Sequence, residues 1–449
     1  VGIALTSEQI VALAPDASSV AAGRKLSSTK GWQNLGQNAQ ALWGECQGSA
    51  LYHIAVDLTT YTTKCSCPSH KFPCKHGLGL MLLAASQPTV LGAEADPPEW
   101  VATWLEKRTA AVTAKQEKAA KPPTEKAVAS QSKAAEKRGQ KVDAGIAMLD
   151  LWLDDLIRNG LASVESQPTS FWENQAARMV DAQAPGLATR LRRMAEIPGS
   201  SAEWPQKLLA DLGQLALLTQ AYARLDQLDP ALQEDIRQSI GWTVKSDEIE
   251  ARGETVTDEW SLLGQRTEDV PAMANGRMQR TWAIGATSGR TALLLQFSSN
   301  GAPFTEMIIP GVRQAGTLRF WPGIVPTRAR FDERHGAAIP ITATAFSAGM
   351  TSIAAYLGTV ADVLARQPWQ DRFLCVLRDV VLLVARNGAA WHVRDSTGAA
   401  LPLAGDDHWP LMAFSGGRPI DLAAEWDGVA LTPIGAIAEN TYHLLGGKA

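Results

Sequence analysis

Four metal-binding side chains fall within twelve consecutive residues: Cys65, Cys67, Cys74 and His76 in Lys64-Cys65-Ser66-Cys67-Pro68-Ser69-His70-Lys71-Phe72-Pro73-Cys74-Lys75-His76. Zinc takes four soft or borderline ligands in a tetrahedron, and closed Cys3His sites are structural. In extended chain, residues i and i+2 face the same way. Each pair therefore presents two ligands together, and Pro68 and Pro73 bracket a span long enough to turn the chain back. Four protein ligands leave no position for an activating water, so hydrolytic chemistry at this site is not expected. A redox dithiol at Cys65 and Cys67 would leave Cys74 and His76 unexplained. His70 is the alternative to His76 as a ligand, but it reads as an exposed loop residue. One structural zinc is the expectation.

The flanks fit a small finger. Leu51–Leu58 and Tyr61–Cys65 read as a hairpin leading into the cysteines, and 77–85 reads as a buried helix. This pattern, CxC then CxH with a hairpin before and a helix after, resembles the SWIM zinc finger over residues 51–85. The segment Trp43-Gly44-Glu45-Cys46-Gln47-Gly48-Ser49 is similar, more loosely, to the stretch preceding the finger in bacterial members. Carried over by position, the resemblance gives Cys65, Cys67, Cys74 and His76 as the zinc ligands. It implies a DNA-binding or protein-interaction module without catalysis by the finger. Bacterial members resemble accessory proteins encoded beside AAA-type ATPases, which makes such an ATPase a candidate partner.

Charge is unevenly spread. Residues 1–100 carry six Lys/Arg and seven Asp/Glu, residues 101–141 ten and four, and the remainder 26 and 35, within a net charge of −4. A basic strip thus joins a near-neutral head to an acidic body, and whole-chain charge does not suggest a nucleic-acid binder. Fifteen tryptophans run from Trp32 to Trp426, a spread that suits several cores. The five cysteines do not make a disulfide scaffold. No signal peptide is read at the start and no apolar run reaches the ~20 residues of a membrane span, so a cytoplasmic protein is expected.

The organisation expected is α+β and multi-domain: a small ββα zinc-finger head, a helical middle and a β-rich mixed C-terminal region. The boundaries are an N-terminal domain over 1–105 with the finger at about 51–85, a basic flexible linker over 106–141, a helical domain over 142–250 and a β-rich α+β domain over 251–449. Thr6-Ser7-Glu8-Gln9 fits a capping box and Pro15-Asp16 a second helix start. Ser288-Gly289-Arg290 signals a hairpin, and 352–365 reads as a helix among strands. Loss of the metal is expected to unfold 51–85 and spare 142–449.

No GxxxxGK[ST], HExxH, GxSxG or helix-opening GxGxxG is present. His392, Asp395 and Ser396 read as a turn, and Glu173 has no identifiable partner. Cys46 and Cys375 read as buried small residues. Phe72 is expected to pack onto the following helix. Lys64, Lys71 and Lys75 either offset the thiolates or form a basic face for phosphates with the 101–141 strip. The expectation is a non-enzymatic adaptor that recognises protein through the finger, with nucleic-acid binding as the alternative, and with neither membrane nor small-molecule substrate as partner.

Overall fold

A computed structural model describes residues 3–92, 95–119, 125–270, 273–385 and 390–445, without side chains at 109, 111–134, 343 and 344. The chain opens with α1 (Ser7–Ala12), where Thr6 and Gln9 make the reciprocal capping box, and α2 (Ala17–Arg24), capped by Asp16. Four strands follow as an antiparallel meander in chain order: β1 (Trp32–Gln37), β2 (Ala41–Gln47), β3 (Leu51–Asp57) and β4 (Thr63–Cys65). α3 (Lys75–Ser86) packs against this sheet, α1 and α2. It is buried continuously from His76 to Ala84, as its lack of a polar face requires.

The stretch expected as a linker is helical wherever its backbone is described. α4 (Glu99–Ala119) runs into it, and α5 (Glu125–Asn159) begins inside it. Residues 120–124, including Pro122-Pro123, lie outside the described residues. The composition explains the difference. Ala, Lys, Glu and Gln are strong helix formers, and a helix satisfies its own backbone without an apolar face. Position 142 falls inside α5, where Val142 is the first described residue of that helix to join the bundle core.

α5 continues into α6 (Thr169–Asp181), α7 (Pro185–Met194), α8 (Trp204–Ala223) and α9 (Pro230–Ile240). Leu149, Trp172, Leu187, Leu215 and Ile236 fill the centre of this bundle. Trp369, from the C-terminal part, belongs to the same core. Arg193 and Asp371 add an ion pair at 2.6 Å across that junction.

After α10 (Ser246–Arg252) come β5 (Thr255–Val270), β6 (Gly276–Gly285), β7 (Thr291–Ser298), β8 (Val312–Phe320) and β9 (Arg328–Pro340). They close a barrel in the order β5-β6-β7-β9-β8, with β7 and β9 parallel. This is the Greek-key order of an OB-type barrel. The expected hairpin at Ser288-Gly289-Arg290 joins β6 to β7. The last layer holds α11 (Ile353–Arg366), β10 (Phe373–Val384), β11 (Trp391–Arg394), β12 (Ala400–Pro402), α12 (Trp409–Ser415), β13 (Ile420–Trp426), β14 (Leu431–Ala438) and β15 (Thr441–Leu444). Its sheet order is β12-β11-β10-β13-β14-β15.

The head is not a separate unit. Leu42, Val56, Leu58 and Tyr61 belong to one apolar core with Trp260, Val312 and Phe331 of the barrel. Tyr61 donates its buried hydroxyl to the Ala338 carbonyl at 3.2 Å, and Gln9 donates to the Gly311 carbonyl at 2.8 Å. Gly311 has φ +81, and an added Cβ would stand 3.0 Å from the Gln9 amide nitrogen, so this joint needs glycine. The barrel in turn packs on the C-terminal sheet through Trp282 and Ile284 against Leu374, Val376 and Ala423. Buried Glu425 accepts from Trp282 Nε1 at 2.8 Å and from Arg372 at 3.1 Å there.

Candidate metal centre

Local structure brings the four sequence-read ligands together. Cys65 ends β4, which pairs with β3 through Ile54. Ser66 holds the next residues to the same strand. Its amide donates to the His53 carbonyl at 3.1 Å, and its hydroxyl accepts from the His53 amide at 2.9 Å. Cys67 follows with the i+2 relation that the reading requires. Cys74 is the N-cap of α3, with extended backbone at φ −75, ψ 170. His76 lies in the first turn of that helix, so helix formation aims the second ligand pair.

The ligand atoms of Cys65, Cys67, Cys74 and His76 all lie within 4.8 Å of one another. Cys65 Sγ is 3.7 Å from His76 Nδ1. Zn–S and Zn–N bonds of about 2.3 and 2.0 Å give a tetrahedron with S···N edges of about 3.5 Å. The donor set and its spacing therefore fit zinc and leave no fifth protein ligand nearby among the described residues. Cys74 and His76 are buried and Cys65 and Cys67 half-buried, so the metal would sit at the protein surface with its helical side closed. Tyr52 lies over the imidazole, ring centroids 4.9 Å apart.

The thiols perturb one another. Cys65 donates to Cys74, which holds the Cys74 thiol well below its ordinary range; His76 and the backbone amides of His76 and Gly77 push the same way against burial. The same bond, with burial, pushes Cys65 up. A bound metal's charge ionises the thiols that ligate it.

A SWIM zinc finger model matches residues 52–85. The chain carries a SWIM zinc finger. A model described as the SWIM-associated four-helix bundle domain matches residues 137–240, the stretch from within α5 to the end of α9. No curated protein and no solved structure matched the chain. The SWIM finger holds one structural zinc through Cys65, Cys67, Cys74 and His76. Its chemistry is that of a tie: it fastens the end of β4 to the start of α3.

The remaining sequence candidates sort by contact. His70 is exposed and outside the ligand cluster. Lys71 bonds Asp16 at 2.8 Å and the Ser18 hydroxyl at 3.1 Å, so it pins the SWIM loop to the start of α2. That pair also holds Asp16 well below the usual carboxylate range. Lys64 and Lys75 are exposed. Phe72 differs from expectation. It is 41% exposed, while Pro73 takes the buried place. Helix α3 is already covered by the sheet, α1 and α2, so no face is left for the ring. Asp395 accepts from the amides of Thr397 and Ala399 at 2.9 and 3.1 Å and from that of Ile353 at 2.8 Å, as a turn residue does. Glu173 is paired after all, with Arg192 at 2.6 Å. Cys46 and Cys375 are buried as read.

Sequence reasoning missed a cleft of about 1430 Å³ between the SWIM loop and the open end of the barrel. Its walls come from segments more than 190 residues apart, Phe72 and Pro73 on one side and Gln265, Thr267 and Gln279 on the other. Only the folded chain brings those segments together. Among the described residues no helix is long and apolar enough to cross a membrane.

Proposed function

We propose that the chain is a zinc-dependent, non-catalytic adaptor that recognises another protein through the face carrying its SWIM finger. The observation that supports this most is the sealing of the head into the barrel core. Zinc then organises one edge of a large composite surface, where a free-standing DNA reader would need far less chain. An AAA-type ATPase is the partner suggested by the resemblance to bacterial members, and a reducing cytoplasmic setting suits the thiolate ligands. The test is recovery of partners from native lysate, with and without nuclease, using wild type and Cys74→Ser. A nuclease-resistant protein that depends on the intact finger supports the reading. Recovery that disappears with nuclease rejects it.

Exposed Lys64 and Lys75 favour a second reading, in which the finger binds DNA with help from the basic strip. Lys71 contributes less to such a face, because Asp16 already closes its charge. Binding of this kind falls steeply with salt. Against it, Trp282 and Ile284 of β6, part of the face where OB-type barrels take oligonucleotides, are covered here by the C-terminal sheet.

A further inference from the structure

We propose that the cleft between the SWIM loop and the barrel mouth binds an extended polypeptide segment with an apolar side chain seated by Phe72. The inference deepens the adaptor reading and rests on it for the class of partner.

Three features of the cleft choose this occupant. The first is charge. A nucleic-acid strand needs free cations along its path. Here Arg334 is closed by Glu306 at 2.9 Å, Arg319 by Asp332 at 2.5 Å, Arg330 by Glu250 at 3.0 Å and Arg108 by Asp57 at 3.3 Å. Arg277 bonds a carbonyl, that of Ala302, and not an acid, but Glu333 adds a carboxylate to the lining, so the walls are close to neutral and a polyanion gains little from them.

The second is polarity. β5 and β6 place Thr267 opposite Gln279, both lining the cleft. The Gln279 carbonyl accepts from Gln296 at 3.2 Å. Among the described residues its amide nitrogen and the Thr267 hydroxyl bond no partner. A donor beside a hydroxyl that donates or accepts is what a peptide backbone, with alternating N–H and C=O groups, can satisfy.

The third is size and anchor. Drug-sized ligands take pockets of about 300–1,000 Å³, and this cleft is larger. Exposed Phe72 stands on its rim, and Phe304, with Arg277 lying 5.2 Å over its ring, lines the wall. Exposed aromatic rings at a partly polar site are the usual anchors of protein recognition. Zinc enters through position alone: Phe72 sits between the two ligand pairs, so the metal fixes where the anchor stands.

The experiment pans a display library of short random peptides against the full chain in its zinc form. Selected peptides are then measured on wild type, Phe72→Ala and Thr267→Val. Zinc content and thermal midpoint serve as the folding control, and an oligothymidylate is the competitor. Expected are peptides that bind wild type, weaken about tenfold in Phe72→Ala and severalfold in Thr267→Val, and resist the oligothymidylate. No enrichment overturns the proposal. So does binding indifferent to both substitutions, which would leave the adaptor reading standing with its surface elsewhere. Displacement by oligothymidylate, itself weakened in Phe72→Ala, assigns the cleft to nucleic acid and overturns it too. Peptides that bind as expected, beside a lysate yielding only nuclease-sensitive partners, would keep the cleft and reject the adaptor reading.

Discussion

Cys74 does two jobs: its thiol ligates zinc, and its extended backbone opens α3 at the N-cap position without a side-chain cap bond. The two separate in Cys74→Ser. Serine is a better N-cap than cysteine but a poor zinc ligand, so the helix start survives while the site fails. Bound zinc is expected to fall from about one per chain to none, read by elemental analysis. Amide protection should drop in the loop from Cys65 to Cys74 while β2 and β3 keep theirs, because their core residues continue into the barrel. A fully unfolded head would contradict this. Another residue carries a pH signature. Burial raises Asp235 to about 6, against hydrogen bonding from the Ile324 amide at 2.8 Å. The folded chain thus holds a proton that the unfolded chain has released between about pH 4 and 6. Stability should therefore fall as pH rises through that window and stay reduced above it. Asp235→Asn keeps the acceptor for Ile324 and removes the titration. Chemical denaturation across pH 4–7 should show a flatter profile, with a gain on the order of 2 kcal/mol near neutrality.

At the level of elements, α2 and α3 cross where glycine allows it. A Cβ on Gly79 would stand 2.6 Å from Leu26 Cβ, and one on Gly23 2.9 Å from Leu78 Cβ. Gly79→Val is expected to force the helices apart and cost about 1–3 kcal/mol, with zinc affinity reduced because α3 carries two ligands. A denaturant midpoint and a competitive zinc titration check the two effects. Elements with local signals were the legible ones. Thr6, Asp16 and Ser352 all cap the helices that their sequence contexts announce, and the ligand spacing reads directly because it depends on backbone geometry within a few residues. β5, β13 and β14 lack such local signals for physical reasons. The far half of β5 points Gln265 and Thr267 into a polar barrel mouth, so apolar alternation is lost. β14 carries Pro433 and Gly435, and the β13–β14 ladder slips between Ala423 and Ala424. In the other direction, the absence of large apolar residues over 106–141 suggested a linker, although helix propensity and, near its two ends, the contacts of Arg108 and Arg138 favour helix there.

Across the whole molecule, the joint between head and barrel sets the unit of stability. Tyr61→Phe removes a buried bond to the Ala338 carbonyl, at a cost of about 1–2 kcal/mol. Because the bond lies inside one core, the loss should appear as a lower midpoint of a transition shared by head and barrel, followed by exchange at β2 and β8 together. Independent transitions would mean that the two parts fold apart. The cleft was illegible in the sequence for the same reason: its walls are set by which distant strands share a core. That joint also matters during synthesis. The apolar residues of the head, Leu58 and Tyr61 among them, are complete by Leu91, yet the barrel residues that cover them extend to Ala338. Roughly 250 residues must still be translated, which at about 5–20 residues per second takes tens of seconds. Throughout that interval the emerging head carries an uncovered apolar face beside an already assembled set of zinc ligands. Early metal binding would hold the hairpin and α3 in register while the face waits, and a ribosome-bound head is a natural client for holding chaperones until the barrel arrives.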